Sequence, residues 1–397
     1  MSAFSVPSFP MANILIFSVD YFPYAGGAEI AVSETCARIP GQSFVMITCW
    51  NDRALPREEM IGNIRVFRVG IGIRAIDKYI MPVTAFFAAR KLHRASPFSI
   101  AWAIMANTGA IAAFLFTRIN RNARYLLTLQ EGDSEAYYAR RTWFWAPLYR
   151  ALHARADHIH AISGYCASRA RRYGYRGAIS IIPNGIDSVL FNPSSLSSSA
   201  RDHARSVSRA LSGERIIFTA SRLEEKNGVD ILLRAYALFS AGCGIPSRLV
   251  IAGTGTEEAS LKRLARSLGI SGSVSFLGYL PHAEMVSVLK SADIFVRPSR
   301  SEGLGNAFLE ALACGIPAIG TPVGGIPDFL ADGITGLLSR TEDPASLADC
   351  MKRGLFDSSL RDALISGGLA AVREKYDWHY IAPKISAMLI SLSAVSE

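Results

Sequence analysis

Residues 301–329, SEGLGNAFLEALACGIPAIGTPVGGIPDF, place two glutamates, Glu302 and Glu310, eight positions apart. If one helix carried both, its rise of about 1.5 Å per residue would put their backbones about 12 Å apart. The paired carboxylates of glycoside hydrolases, which act on a single bond, lie only about 5 to 9.5 Å apart. The spacing therefore indicates two carboxylates that contact two ends of one long ligand.

The residues around the two glutamates predict a strand, a turn and a helix. The apolar run DIFVRPS at 293–299 is typical of a buried strand, and Glu302 lies in the glycine-rich turn that follows it. The helix is predicted to begin near Asn306 and to carry Glu310 in its second turn. Its first N–H groups could bind a phosphate, and each carboxylate could accept hydrogen bonds from sugar hydroxyls. The alternative, a capping glutamate and an ordinary surface glutamate, leaves the closely packed alanines of this helix unexplained.

Short apolar runs alternate with segments of helical periodicity along the whole chain of 397 residues, 50% of which are hydrophobic. This alternation is typical of parallel sheets with crossover helices, and the length fits two domains with separate cores. The predicted strands lie at 13–19, 43–49, 65–69, 98–105, 124–130, 157–163 and 180–183, and in a second series at 215–221, 248–253, 274–278, 293–299 and 317–322.

A polar, serine-rich stretch at 192–213 separates the two strand series and is typical of a linker with one exposed helix. We therefore predict a first domain at 1–190, a linker at 191–213 and a second domain at 214–376, with a C-terminal helix at about 377–397 that completes the first domain. The predicted fold class is α/β, with two Rossmann-like doubly wound domains that face each other across a cleft. A ligand is expected at the carboxyl ends of the sheets.

Three further turns between a strand and a helix are candidates for a ligand site. Gly26 and Gly27 precede a helix whose first N–H groups could bind an anion. Arg222 and Lys226 follow the first strand of the second series, where two cations could neutralise charge on a leaving diphosphate. Gly253 leaves room for a ligand to approach the backbone after the next strand. The alternatives are structural turns and solvated surface charges.

The net charge of +9 resides in the first half of the chain. Residues 1–190 contain 21 Lys and Arg against 12 Asp and Glu, whereas residues 191–397 contain 21 of each kind. This imbalance indicates that the first domain faces an anionic partner, such as phospholipid, nucleic acid or an acidic glycan. A basic surface without a partner is the alternative.

Neither a membrane span nor a secretion signal is predicted. Residues 99–116 are uncharged, but they are rich in alanine and contain a turn signal, which favours a buried strand followed by a helix. The N-terminal residues lack the basic start and the cleavage site of a signal peptide. The six scattered cysteines indicate neither a zinc site nor a disulfide framework, so we expect a cytoplasmic protein.

The motifs of this chain resemble the donor-binding signature of the retaining nucleotide-sugar glycosyltransferases of family 4, which have the GT-B fold. GGAE after the first strand, IIPNGID before the linker, SRLEEKNG, AGTG, FLGYL and the stretch quoted first occur in the family's order. The resemblance implies that Glu302 contacts the transferred sugar and that Glu310 binds the ribose hydroxyls. Arg222 and Lys226 would hold the diphosphate. It also implies donor contacts at Gly26, Gly27, Gly253, Gly303, Leu304, Gly305, Asn306 and Ala307.

The sequence departs from the family's pattern at one position. Many relatives carry a histidine before a glycine after a strand of the first domain, where this chain has LLTLQEGDSEA with Glu131 before Gly132. In the family, that histidine contacts the donor sugar near the reacting centre. Either Glu131 takes over this contact as a catalytic residue, or the sugar is held differently.

The resemblance implies a retaining glycosyltransferase that moves a sugar from a UDP- or GDP-sugar to an acceptor hydroxyl on the first domain. No cofactor is expected beyond the nucleotide sugar, which is the donor substrate. No Asp-x-Asp cluster lies beside the site, so we expect protein cations to take the place of a divalent metal. Two rivals stay open: a nucleotide-sugar-binding protein without turnover, and a sugar-nucleotide epimerase or hydrolase on the same fold.

Residues 137–157, YYARRTWFWAPLYRALHARAD, are predicted to form an amphipathic helix of the first domain. Its aromatic and basic residues are Trp143, Phe144, Trp145, Tyr149, Arg140, Arg141, Arg150 and Arg155. Aromatic rings suit the headgroup region, and the cations attract anionic lipid, so we expect peripheral binding at the inner face of the cell membrane. The acceptor would then be a lipid-linked saccharide of a bacterial envelope or exopolysaccharide pathway. The alternative is that the rings pack the core; nucleic acid is not expected, because no nucleic-acid-binding motif is present.

Overall fold

The computed structural model describes residues 13–394 except residues 25 and 195, and leaves out the side chains of residues 141 and 243. Most of the N-terminal segment tested for a signal peptide lies outside the described residues. The chain divides into two compact units. The first takes in the residues up to Glu131, Ala139–Ile182 and the residues from Ile381 onward, and the second takes in Gly132–Tyr138 and Pro183–Tyr380.

The first unit contains an eight-stranded sheet. Its elements are β1 Asn13–Phe17, α1 Gly27–Ala37, β2 Ser43–Cys49, β3 Glu58–Ile61, β4 Ile64–Val69, α2 Arg74–Ala95, β5 Ile100–Ile104, α3 Thr108–Ile119, β6 Arg124–Leu129, α4 Glu135–Thr142, α5 Ala146–Ala154, β7 His158–Ala161, α6 Gly164–Arg172 and β8 Ile179–Ile181, except that the part of α4 up to Tyr138 groups with the second unit. The strand order is β3-β4-β2-β1-β5-β6-β7-β8. All neighbours are parallel except β3 and β4, which form an antiparallel pair. The central strands are continuous apolar runs, as expected of parallel strands covered on both faces.

The second unit contains a six-stranded sheet in which all neighbouring strands are parallel. Its elements are α7 Ser198–Ser208, β9 Arg215–Ala220, α8 Val229–Cys243, β10 Ser247–Ala252, α9 Glu258–Ser267, β11 Val274–Gly278, α10 His282–Lys290, β12 Ile294–Val296, α11 Asn306–Ala313, β13 Ala318–Gly320, β14 Leu337–Leu338, α12 Pro344–Phe356, α13 Ser358–Lys375 and α14 Trp378–Ala394, of which the first unit takes the part from Ile381. The strand order is β11-β10-β9-β12-β13-β14, so the direction of winding reverses between β9 and β12.

The structure confirms the α/β fold class and all twelve predicted strands, with ends that differ by a few residues. It adds β3 and β14, which the sequence analysis missed. Residues 99–116 form β5 and α3 as predicted, and the Asn107 side chain caps α3 by accepting a 2.9 Å hydrogen bond from the backbone N–H of Gly109. Among the described residues, no helix has the length and apolar character needed to cross a membrane.

The prediction of one helix across residues 137–157 is wrong. α4 ends at Thr142, a 3-10 turn spans Trp143–Trp145, and α5 begins at Ala146. Pro147 lies in the first turn of α5, where its missing N–H does no harm, and this position favours a new helix start. The aromatic residues divide accordingly: Trp143 and Phe144 are 75% and 71% exposed, whereas Tyr149 is buried.

The stretch predicted as a linker contains one helix, α7, and this helix is only partly exposed. Ala204 and Ser208 are fully buried. α7 packs against α10, and the stretch groups with the second unit, whose longer segment begins at Pro183. The domain limits drawn from the sequence stay predictions.

Candidate active site

The candidate site lies where the winding of the second sheet reverses. β9 and β12 are parallel neighbours, with Ile217 opposite Ile294 and Phe218 opposite Phe295. Parallel neighbours end at the same edge of a sheet, and ligands of doubly wound folds bind at this kind of reversal. The loop after β9 carries Arg222 and Lys226, and the loop after β12 carries Glu302 and leads into α11. The structure therefore places three predicted site residues on two adjacent loops.

Hydrogen bonds connect these two loops. The backbone N–H of Arg300 donates to the carbonyl of Lys226 at 2.7 Å. The Arg300 guanidinium donates two bonds, of 2.7 and 2.8 Å, to the Asp230 carboxylate at the start of α8. These bonds hold the backbone of Lys226 beside the loop that carries Glu302. The side chain of Arg222, on the same loop as Lys226, is exposed to solvent.

The Lys226 ammonium group has a carboxylate partner that the sequence analysis did not anticipate. Lys226 Nζ lies 2.7 Å from Asp133 Oδ1, and both groups are partly exposed. Asp133 belongs to residues 132–138, the segment of the first half of the chain that groups with the second unit. The cation predicted to hold a diphosphate therefore pairs with an anionic group of the protein.

The carboxylate of Glu302 is held at both oxygens. One forms an ion pair with the buried guanidinium of Arg297, and Oε1 accepts a 3.1 Å hydrogen bond from the N–H of Gly303. The carbonyl of Glu302 accepts a further bond, of 3.2 Å, from the N–H of Gly325 in the loop after β13. Glu302 therefore lies in a loop with a fixed conformation, as its predicted contact with a sugar requires.

α11 begins at Asn306, as predicted, and its N-terminus offers free donors. Gly305 adopts a left-handed conformation, with φ of 101°, that turns the chain into the helix. Within the described part of the chain, no group accepts from the N–H groups of Gly305, Asn306 and Ala307. They are suited to bind a phosphate oxygen, together with the positive end of the helix dipole. The Leu304 side chain is buried, so this residue could contact a ligand only through its backbone.

Glu310 is partly buried in the second turn of α11, and its carboxylate accepts no hydrogen bond from the described residues, whereas its carbonyl accepts one from the N–H of Cys314. Burial raises the pKa of its carboxyl group to about 7, and the nearby Arg297 guanidinium acts in the opposite direction. The group therefore titrates near neutral pH, and its oxygens can accept hydrogen bonds from a ligand.

Several buried polar atoms at this edge of the sheet have no protein partner among the described residues. They are Thr219 Oγ1, Ser221 Oγ, Arg297 Nε and Ser299 Oγ. All four follow or end β9 and β12. Buried polar groups normally have a partner, so their concentration here indicates a site for a polar ligand.

Gly253, a predicted donor-binding residue, has a clear packing role. A Cβ atom at this position would lie 1.8 Å from the carbonyl oxygen of Ser221. The N–H of Gly253 donates to Gly278 at 2.7 Å. The absence of a side chain therefore lets the loop after β10 approach the loop after β9, and contact with the donor stays a prediction.

The predicted site residues of the first unit already form hydrogen bonds within the protein. Glu131 is only 7% exposed, and its carboxylate accepts hydrogen bonds from the N–H groups of Ala106 and Gln130. Burial raises the pKa of Glu131, and the Arg169 guanidinium opposes this effect. A ligand would have to replace these donors, so a catalytic role for Glu131 stays a prediction.

Gly26 and Gly27 lie at the exposed start of α1. The N–H of Gly26 donates to Glu29 Oε2 at 2.8 Å, so a carboxylate of the protein already caps this helix. An anion bound there would have to compete with Glu29 for that donor, and the predicted phosphate contact stays untested.

Two family models match this chain and cover most of it. The model for glycosyl transferases group 1 matches residues 200–369, and the model for the glycosyl transferase 4-like domain matches residues 26–185. The two models match successive halves of one chain, and the chain belongs to the glycosyltransferase family 4 that they describe.

Curated relatives carry related activities in their names. A GDP-mannose-dependent monoacylated alpha-(1-6)-phosphatidylinositol monomannoside mannosyltransferase of Corynebacterium glutamicum is 31% identical over 61% of this chain and 64% of its own length. A D-inositol 3-phosphate glycosyltransferase of Acidothermus cellulolyticus is 36% identical over 50% of this chain and 45% of its own length. The matches thus span less than two thirds of either relative.

Solved structures share the GT-B fold over nearly the whole chain. Sucrose-phosphate synthase from Thermosynechococcus elongatus matches with a TM-score of 0.83 at 24% identity, over 97% of this chain and 100% of its own. The Anabaena protein HepE, solved with UDP-glucose, matches with a TM-score of 0.77 at 19% identity, over 96% and 99% of the two chains.

Proposed function

We propose that this protein is a retaining glycosyltransferase that moves a hexosyl group from a UDP- or GDP-sugar to an acceptor hydroxyl. The observation that carries the proposal is the placement of Arg222 and Lys226 on the loop after β9 and of Glu302 on the loop after β12, which leads into the free N-terminus of α11. One relative supports the choice of donor, since it is named as GDP-mannose-dependent, and a solved structure with the same fold contains UDP-glucose.

Each group would have one task along the donor. Arg222, Lys226 and the N–H groups of α11 would bind the diphosphate, whose negative charge grows as it leaves. Glu302 would accept hydrogen bonds from hydroxyls of the transferred sugar, and Glu310 from hydroxyls of the ribose. Oriented binding of both ends would bring the anomeric carbon to a fixed position relative to the acceptor.

The reaction would proceed by attack of the acceptor oxygen on the anomeric carbon from the face that the diphosphate leaves. The bond between that carbon and the phosphate oxygen breaks as the new glycosidic bond forms. The acceptor proton passes to an oxygen of the leaving diphosphate, so no separate base is required.

We propose that the protein cations stabilise the diphosphate without a divalent metal. Activity should therefore persist in excess EDTA, and NMR of the product should show the donor's anomeric configuration.

We further propose that the acceptor is a lipid-linked saccharide and that the first unit binds anionic membranes. This proposal is supported by the positive balance of residues 1–190 and by the exposed rings of Trp143 and Phe144. The side chains of Arg140 and Arg150 are exposed in the same segment. The lipid substrate in the name of the Corynebacterium relative is consistent with such an acceptor.

A donor screen scored by released nucleoside diphosphate tests the transferase proposal. Release from one donor that depends on an added acceptor is the expected result, and Glu302→Ala serves as the inactive control. Equal release without acceptor would identify a hydrolase, and binding without release would identify a nucleotide-sugar-binding protein. Either result would contradict the proposal.

A further inference from the structure

A buried arginine lies beside the candidate sugar-binding glutamate. Arg297 directly follows β12, and 7% of its surface is exposed. Its guanidinium carbon lies 4.8 Å from the centroid of the Phe308 ring in α11. Nη1 donates to the carbonyl of Ala220 at 3.3 Å, and Nη2 forms the ion pair with Glu302. Arg297 thus contacts the end of β9, the loop after β12 and α11.

Stability alone does not explain a charge at this position. Removing a guanidinium group from water is unfavourable, and apolar side chains of similar volume often stabilise a protein core as well as a buried ion pair does. The neighbours of Arg297 in the chain, Val296 and Pro298, are buried and apolar. The Nε atom has no partner in the described part of the chain, so the position retains an incompletely satisfied charge.

The ion pair fixes the direction of the Glu302 carboxylate. Arg297 holds one oxygen while the N–H of Gly303 holds the other, and the stacking on Phe308 fixes the guanidinium in turn. Each carboxylate oxygen has two lone pairs, and these two contacts use one lone pair on each oxygen. The remaining lone pairs can accept hydrogen bonds from hydroxyl groups of a ligand. Without Arg297, the side chain of Glu302 would be free to adopt other rotamers.

We infer that Arg297 is a positioning residue, which orients Glu302 toward the hydroxyls of the transferred sugar. The inference rests on the proposed function, because it assumes that Glu302 contacts the sugar. Arg297 would act on the sugar end of the donor and leave the binding of the nucleoside diphosphate unchanged.

Kinetic variants test this role. We expect Arg297→Met to lower kcat roughly 10- to 100-fold, the range of one charge-assisted hydrogen bond, while the Kd for UDP or GDP stays the same. Arg297→Lys should recover part of the loss. In a Glu302→Gln background, Arg297→Met should cause little further loss, because the two residues act as one unit.

Arg248→Met is the matched control. Arg248 is also buried and pairs with Glu214 at 2.9 Å, but it lies in β10, away from the candidate site. We expect this variant to lower the melting temperature without lowering kcat. Equal losses of kcat in both arginine variants, or additive losses with Glu302→Gln, would overturn the inference.

A crystal structure of Arg297→Met separates this inference from the proposed function. We expect the Glu302 carboxylate to adopt a different rotamer from that in the wild-type protein, whether or not the enzyme turns over a donor. An unchanged Glu302 orientation would overturn the inference while leaving the transferase proposal intact. If the wild-type protein transfers no sugar, the crystal structure still decides whether Arg297 orients Glu302.

Discussion

At the residue scale, Glu302 is the side chain whose replacement separates binding from chemistry. We expect Glu302→Ala to reduce transfer about a hundredfold or more, because charge-assisted hydrogen bonds to the sugar are lost in the transition state. Binding of the nucleoside diphosphate should stay nearly unchanged, because those bonds involve the other end of the donor. Initial-rate kinetics and calorimetry with UDP and GDP measure both quantities. A normal transfer rate in this variant would refute the assignment of Glu302.

The pKa of Glu310, about 7, predicts a pH dependence of nucleotide binding. The carboxyl group is mostly protonated below this value and ionised above it, and only the ionised form accepts charge-assisted bonds at both oxygens. The affinity for UDP or GDP should therefore rise between about pH 6 and pH 8. Part of that rise comes from ionisation of the ligand's own phosphate.

Glu310→Gln serves as the control for the ligand's ionisation, because it keeps the shape of the side chain and removes its titration. We expect weaker binding at pH 8 and a smaller rise with pH in this variant. Identical pH profiles of the variant and the wild-type protein would show that Glu310 does not contact the nucleotide.

The ion pair between Lys226 and Asp133 predicts competition with the donor. A diphosphate that binds Lys226 has to share or replace the Asp133 carboxylate at 2.7 Å. Asp133→Asn removes the competing charge, so we expect severalfold tighter binding of UDP or GDP at low salt. Glu342→Gln, in a partly exposed ion pair with Arg300, is the matched control and should leave the affinity unchanged. Weaker binding in Asp133→Asn would mean that Asp133 instead holds Lys226 in place.

At the element scale, the close approach of two loops depends on Gly253. An added methyl group would meet the Ser221 carbonyl at 1.8 Å, and φ of 126° is unfavourable for any side chain. We expect Gly253→Ala to lower the free energy of unfolding by roughly 1 to 3 kcal/mol and to weaken donor binding, since it displaces the loop that carries Arg222.

Gly272→Ala provides the comparison for this variant. Gly272 lies in the 3-10 turn Ser271–Ser273, and an added Cβ atom there would meet nothing within 4 Å. Urea denaturation of both full-length variants measures the difference. A similar decrease in the free energy of unfolding in both variants would show that the close contact between Gly253 and the Ser221 carbonyl does not cause the loss of stability.

The sequence predicted the strands well because a central parallel strand is a continuous apolar run. β3 was missed because Glu58 and Glu59 interrupt its apolar pattern, although its two-residue Gly62–Asn63 connection to β4 is a hairpin signal. β14, at Leu337–Leu338, is too short to show a period. The segment at 137–157 was predicted as one helix because its amphipathic pattern continues across Trp143–Trp145. In the structure, these residues form a 3-10 turn that separates two helices.

The candidate site was predictable where residues follow strand ends and unpredictable where side chains meet across loops. The positions of Arg222, Lys226, Glu302 and the start of α11 follow from the predicted strand ends and from turn chemistry. The contacts of Arg297 and Asp133 depend on pairs far apart in sequence, and no local period reports them. A charged residue inside DIFVRPS was the available signal for Arg297, since an unpaired charge is rarely buried.

At the scale of the whole molecule, the uneven charge between the halves of the chain makes the membrane proposal testable. Each cation near an anionic leaflet contributes roughly 1 kcal/mol, so several arginines with exposed rings would give reversible peripheral binding. We expect the protein to co-sediment with vesicles that contain anionic lipid, to bind less as salt rises, and to ignore neutral vesicles. Absence of binding at low salt would remove the proposal.

The exposed rings at the break between α4 and α5 are predicted to make the contact. We expect the double variant Trp143→Ser and Phe144→Ser to lose most vesicle binding, because the rings enter the headgroup region while the arginines supply only screened attraction. Tyr279→Ser is the control, since Tyr279 is an aromatic side chain of the second unit with comparable exposure, 78%. α2 also exposes Tyr79, Val83 and Phe87, so their triple serine variant tests a second apolar surface of the first unit. Loss of binding confined to that triple variant would move the contact to α2 and contradict the role of Trp143 and Phe144.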